Sequence, residues 1–176
     1  MPEASLRDPA FTEDTLQPKS LNSAPLSLSR ITLSNFRNYE SLRLSLNASP
    51  VVLTGVNGSG KTNLLEAVSL LVPGRGLRRC SLGDLQTRTT NAPWAVATEL
   101  RTNVGPLHIG TGRDNAVNDS EGERRLVHID GRSTRGQNML AEHIAMAWIT
   151  PDMDRLLAEG ASVRRKFLDR LAYSFD

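Results

Sequence analysis

Apolar residues alternate with polar ones soon after a polar start. In Leu28-Ser-Arg-Ile31-Thr-Leu33, positions 31 and 33 share one side, which predicts a strand. Asn35 to Tyr39 is turn-rich, and Leu42-Arg-Leu44-Ser-Leu46 alternates again, predicting a second strand antiparallel to the first. Asn47-Ala-Ser-Pro50 turns the chain into a short β-branched run, Val51-Val52-Leu53. After Thr62 the period becomes helical, with Leu64, Leu65, Val68, Leu71 and Val72 on one face and Pro73-Gly74 as a stop. A short helical turn is expected at Gly83 to Leu85. Strands are expected at Trp94 to Leu100, Leu107 to Gly110 and Arg125 to Ile129, the last ending in the hairpin signal Asp130-Gly131. The polar stretch 113–124 reads as an exposed hairpin loop, Gln137 to His143 as a short helix, and Ala145 to Ile149 as a buried strand. The chain closes in helical patterns. Met153, Leu156 and Leu157 form a stripe up to Gly160, and Ser162 is placed to cap a helix carrying Val163, Phe167, Leu168 and Leu171. This order predicts a mixed α/β domain with a subsidiary antiparallel sheet.

Composition narrows the class. The 176 residues, 39% hydrophobic and 23% charged, suffice for one domain with a real core. Residues 1–27 hold four of the nine prolines and no sustained apolar period, so they are expected to form a disordered tail ahead of a folded unit at 28–176. The lone Cys80 leaves no intrachain disulfide and fits a reducing compartment. No apolar run is long enough to span a bilayer, and the start lacks a secretory pattern, so a cytoplasmic location is expected. His108, His128 and His143 show no metal-ligand spacing. A net charge of +2 is compatible with a nucleic-acid partner without arguing for one. Two basic clusters carry more information. They are Arg75, Arg78 and Arg79 after the first helix, and Arg164, Arg165 and Lys166 in the first turn of the last, where cations oppose the helix dipole.

The chemistry lies between strand and helix. Gly55-Val56-Asn57-Gly58-Ser59-Gly60-Lys61-Thr62 is a G-x-x-x-x-G-K-[ST] P-loop. Its glycines let successive N–H groups turn inward on a phosphate, and the following helix adds partial positive charge. Lys61 can reach the outer phosphates, and the Thr62 hydroxyl can ligate Mg²⁺.

Other residues carry a resemblance. Leu33-Ser-Asn-Phe36-Arg37-Asn38-Tyr39, the P-loop with Asn63-Leu-Leu-Glu-Ala67, Pro73-Gly-Arg-Gly-Leu-Arg-Arg79, Val127-His-Ile-Asp130-Gly131, Trp148-Ile-Thr-Pro-Asp152 and Arg164-Arg-Lys-Phe-Leu-Asp169 resemble the RecF family of DNA replication and repair proteins. That family groups with the chromosome-maintenance (SMC) heads among ABC-type ATPases. The resemblance implies an α/β P-loop NTPase fold, the first lobe of an ABC/SMC-like head with an antiparallel β subsheet, ending before a second lobe. It implies ATP with Mg²⁺ on Gly55 to Thr62, and ATP-dependent homodimerisation. It implies DNA bound at single-strand gaps, RecR and RecO as partners, RecA loading, and a part in the SOS response. Arg37 matches a segment beside the nucleotide, as a nucleotide contact or as a structural arginine. Arg75, Arg78 and Arg79 match an arginine loop facing phosphate of ATP or of DNA, or form a solvated basic face. Phe36 and Tyr39 are expected in the core.

The pattern also departs from the family. Neither a signature segment nor a late Asp-Glu pair is present, and Asp130 is followed by Gly131, so little turnover is expected from this chain alone. No glutamine stands near Thr150-Pro151-Asp152, where a transport ATPase would carry its Q-loop. No Asn-Lys-x-Asp follows the P-loop, as a GTPase requires. A transporter subunit and an inactive P-loop fragment are the competing readings.

Overall fold

The computed structural model describes residues 26–90, 92–113, 124–151 and 161–172, without the side chains of residues 163, 166 and 170–172. Most of the expected tail, most of the 113–124 loop and the Met153 to Leu157 stripe lie outside the described residues. The described strands are β1 (Ser27–Phe36), β2 (Tyr39–Ser45), β3 (Ala95–Thr102), β4 (Gly105–Arg113), β5 (Arg125–Ile129) and β6 (Arg132–Ser133). The helices are α1 (Lys61–Ser69) and α2 (Ala161–Ala172), with 3₁₀ turns at Gly83–Leu85 and Gln137–Glu142.

One sheet in the order β2-β1-β3-β4-β5-β6 joins all six strands, and every ladder is antiparallel. Period-two patterning sets its register. Ile31 and Leu33 on β1, Val96 and Leu100 on β3, Ile109 on β4 and Val127 on β5 are all buried, while their strand neighbours are more exposed. Across the β1–β3 ladder Leu33 pairs with Val96. Two threonines share the buried face because their hydroxyls are satisfied. Thr98 Oγ1 donates to the Ile109 carbonyl (3.2 Å) and Thr111 Oγ1 to that of Leu126 (2.9 Å). Leu64, Ala67, Leu70 and Leu71 from α1 and the turn after it join this core. Phe36 and Trp94 meet edge to face, with centroids 5.7 Å apart, and Trp94 Nε1–H donates to the Leu82 carbonyl (2.8 Å).

Several expectations are corrected. Val51-Val52-Leu53 pairs with no strand among the described residues, and Val52 is 82% exposed. Ala145 to Ile149 is likewise not a strand, and Ile149 is 77% exposed. Both runs have strand composition, but a strand needs a neighbouring backbone, and the described sheet ends at β2 and β6. Leu65, expected on the buried stripe of α1, is exposed, and Glu66 is buried instead. The break at Asn35 to Tyr39 contracts to a two-residue hairpin turn at Arg37-Asn38, since Phe36 already pairs with Tyr39. Ser162 lies inside α2 rather than ahead of it.

The far end of α1 is tied to the sheet by one side chain. Arg125, at the start of β5, donates from Nε to Thr111 Oγ1 (2.8 Å) and from Nη1 to the Gly74 carbonyl (3.0 Å) and Gln137 Oε1 (3.0 Å); Nη2 donates to the Leu70 carbonyl. These carbonyls lie at and just beyond the helix C-terminus, where a cation is favoured. Burial pushes the Arg125 guanidinium down to about 10, so it stays charged at neutral pH. Arg125→Gln is expected to lower stability by about 1–3 kcal/mol, because carbonyls at the helix end lose their donor. A urea midpoint equal to that of the parent chain would show the contact to be dispensable.

Candidate nucleotide-binding site

The P-loop leads directly into α1. Gly55, Gly58 and Gly60 hold φ values of 147°, 85° and 100°, and at 85° and 100° a Cβ carries a steric cost. Gly60 is the helix N-cap, and its carbonyl accepts the first helical bond from Leu64 N–H (2.9 Å). No side chain caps this helix end, and its first turn has no acidic residue. The helix dipole and the N–H groups of the first turn therefore face an open loop, as anion binding requires. Lys61 Nζ lies over that loop, donating to the carbonyls of Gly55 and Val56 (2.8 Å each). Thr62 is exposed on the first turn.

The β1–β2 turn packs against the loop. A Cβ at Gly60 would sit 2.5 Å from the Tyr39 hydroxyl and 2.7 Å from Asn38 Nδ2, so only glycine fits beneath this turn. Asn63 Nδ2, one turn into α1, donates to Asn38 Oδ1 (2.7 Å). The Asn-Phe-Arg-Asn-Tyr segment thus forms a wall of the site, with Phe36 fully buried and Tyr39 partly buried against the core.

Beneath the wall lies a polar network that sequence reasoning missed. Glu66 is fully buried on α1. Arg37 grips it with two hydrogen bonds, Nε to Oε2 and Nη2 to Oε1, both 2.9 Å. Arg37 also donates from Nη1 to the Asp84 carbonyl (2.8 Å) and from Nη2 to Cys80 Sγ (2.9 Å). The Glu66 carboxylate, as hydrogen-bond partner, holds the Arg37 guanidinium above its already high range. Arg37 adopts φ 54° at the turn, which aims its side chain inward. Asp84 is fixed in turn by Ser81, whose Oγ–H donates to Asp84 Oδ2 (2.7 Å). Hydrogen bonds from the Ser81 hydroxyl and backbone N–H hold the Asp84 carboxyl below its ordinary range. The signal appears once the structure puts Glu66 on the buried side. A glutamate between Leu64 and Ala67 on the buried side of a helix needs a cation, and Arg37 is the residue of the matching segment that supplies it.

The arginine loop divides. Arg78 turns inward, donating from Nη1 to Asn63 Oδ1 (2.8 Å) and to Glu66 Oε2 (3.3 Å). Arg75 and Arg79 are exposed. Arg37, Asn38, Asn63, Arg78, Asp84 and Arg88 border an open cleft of about 660 Å³ beside the P-loop helix. The structure therefore groups Arg37 and Arg78 on Glu66, leaves Lys61 over the loop and Thr62 exposed on the first turn, and sends Arg75 elsewhere. Neither Arg37 nor Arg78 is turned toward the loop that Lys61 covers.

A family model described as an AAA domain matches residues 30–144. The chain belongs to the AAA domain family. Within it, the resemblance to the first part of RecF holds. The chain is 46% identical over 149 residues to the DNA replication and repair protein RecF of Allorhizobium ampelinum, an alignment covering 85% of this chain and 39% of that protein. It is 44% identical over 153 residues to the protein of the same name from Mesorhizobium japonicum, covering 87% and 40%. The chain thus spans about two-fifths of the length of these curated relatives. Its fold matches the solved structure of the recombination mediator protein RecF-ATPrS in the RecFOR pathway, with a TM-score of 0.71 and 26% identity over 86% of this chain and 39% of that one. A structure from a study of ATP-driven dimerisation and DNA-stimulated activation of SMC ATPases matches with a TM-score of 0.61, covering 82% of this chain and 98% of that one. At 17% identity that likeness shows the fold alone. The architecture is that of a P-loop ATPase head, with the antiparallel subsheet characteristic of its first lobe. No described helix is long and apolar enough to cross a membrane.

Proposed function

We propose that this chain is the ATP-binding half-site of a DNA-binding ATPase head that serves DNA replication and recombinational repair in the cytoplasm. The observation that carries this reading is the fit of Gly60 under the Asn38-Tyr39 turn, which presents Lys61 and an uncapped helix start on one open loop. Gly55, Val56, Asn57, Gly58, Ser59 and Gly60 supply backbone N–H groups to the β- and γ-phosphates, and Lys61 leaves the loop carbonyls to pair with them. The Thr62 hydroxyl would hold Mg²⁺, which would offset the phosphate charge. Arg37 and Arg78 act from behind, holding the helix through Glu66. The RecF relatives and the RecF-ATPrS structure support ATP and DNA as the ligands. In the longer protein, ATP closes a homodimer on DNA at single-strand gaps. RecR and RecO then help load RecA and sustain the SOS response. The chain itself turns ATP over slowly.

The test is a titration of the 176-residue chain with Mg-ATP, followed by calorimetry. Lys61→Ala is expected to weaken binding about 10- to 100-fold, the equivalent of one charge-assisted contact of about 1.5–3 kcal/mol, with the circular dichroism spectrum unchanged. Equal affinities for the two chains would sink the assignment.

A further inference from the structure

A second cleft, of about 570 Å³, opens at the opposite end of α1 from the P-loop. It lies between the loop after α1, the start of β5 and the turn that follows β6. Arg75, Arg124 and Arg135 stand on it, one from each segment, and all three are exposed. None makes a hydrogen bond or ion pair among the described residues, and no described Asp or Glu lines the cleft. The buried side of the cleft is Arg125, already engaged with the carbonyls at the end of α1. Ser81 and Gln137 add neutral hydrogen-bonding groups. Gly74 and Arg125 place it at the C-terminal end of α1, a helix about 13 Å long for nine residues.

We propose that this cleft binds the phosphodiester backbone of DNA, with Arg75, Arg124 and Arg135 each touching phosphate. The arrangement suits an extended polyanion better than a single phosphate. The guanidinium groups come from three separate segments around an open cleft, instead of converging on one enclosed point. Guanidinium forks without carboxylate partners among the described residues can pair with phosphate oxygens. Such pairing fixes position on the backbone and carries no sequence preference. The choice of DNA among polyanions rests on the functional reading above; the cleft itself does not depend on the P-loop. The arginine loop read from sequence is thereby regrouped. Arg78 belongs to the Glu66 network, and Arg75 joins two arginines distant in the chain.

The experiment compares the 176-residue chain with Arg75→Gln/Arg124→Gln/Arg135→Gln, using a fluorescent 30-base-pair DNA over a series of salt concentrations. A charge-matched control, Arg43→Gln/Arg101→Gln/Arg132→Gln, changes three exposed arginines outside the cleft. The cleft variant is expected to bind DNA about 10- to 100-fold more weakly at low salt. Its salt dependence should flatten by about 2–3 in log–log slope, about 0.9 for each phosphate that is no longer neutralised. A third variant with lysine at all three positions keeps the charge and is expected to keep most of the slope. Unchanged DNA binding in the glutamine variant would overturn the proposal. So would an equal loss of affinity in the control, or a lysine variant as weak as the glutamine one. Mg-ATP affinity, measured in parallel, is expected to be the same in all of them. A chain that binds ATP but no DNA overturns the cleft and leaves the P-loop reading standing; one that binds DNA through the cleft but no ATP does the reverse.

Discussion

Arg37→Met is expected to destabilise the chain by about 3–5 kcal/mol, the cost of leaving a buried charge without its partner. Glu66 is fully buried, and Arg37 supplies two of its hydrogen bonds at 2.9 Å. Arg78 remains at 3.3 Å on one oxygen, but its side chain is 41% exposed and cannot replace the paired geometry. The methionine keeps the aliphatic bulk, and both residues meet the same cost at the turn's φ of 54°, so the difference reports the lost guanidinium with its hydrogen bonds to Glu66, the Asp84 carbonyl and Cys80. A double variant, Arg37→Met/Glu66→Leu, removes both charges and should regain most of the stability. Urea unfolding of the three chains checks this. A single-variant effect under about 1 kcal/mol would place the pair among weakly contributing ion pairs.

Gly60→Ala should act on stability and on nucleotide together. Its backbone sits at φ 100°, and the new methyl would lie 2.5 Å from the Tyr39 hydroxyl. Strain of about 1–2 kcal/mol adds to overpacking of about 1–3 kcal/mol. The Tyr39 and Asn38 side chains must shift or the helix start must, and Mg-ATP affinity should fall more than about tenfold if Lys61 and the helix start move out of alignment. Gly58→Ala is the comparison, because its φ of 85° carries the backbone strain but nothing lies within 4 Å of the added carbon. It is expected to cost only the smaller part. Equal unfolding midpoints for the two alanine variants would show that contact with Tyr39 does not constrain the loop.

Much of the fold was legible because its signals are local. Alternation in β1, β2, β3 and β5 follows from a sheet with one buried face, and Asp130-Gly131 makes the β5–β6 hairpin as its turn chemistry demands. The helix start after Gly60 and the left-handed turns at Gly58 and Gly60 were legible because glycine stands where a positive φ is needed. What failed depended on distant partners. Val51 to Leu53 and Ala145 to Ile149 have strand composition, yet composition does not state whether a neighbouring backbone is present. Glu66 reads as one more residue of a helix until Arg37, 29 positions earlier, is seen against it. The basic loop reads as a single cluster, but Arg78 turns to Glu66 while Arg75 lines the other cleft, which Arg124 and Arg135 reach from just before β5 and just after β6.

The connectivity of the sheet has a kinetic consequence. Strands β3 to β6 are consecutive in the chain and each pairs with the next, so their pairings close cheaply as the chain collapses. β1 joins the same sheet by pairing Leu33 with Val96, across an excursion that holds β2, the P-loop and α1. Closing that long loop carries the larger entropy cost and waits for a template to pair with. The β1–β3 pairing is therefore expected to close late in folding, and with it the turn that walls the phosphate loop.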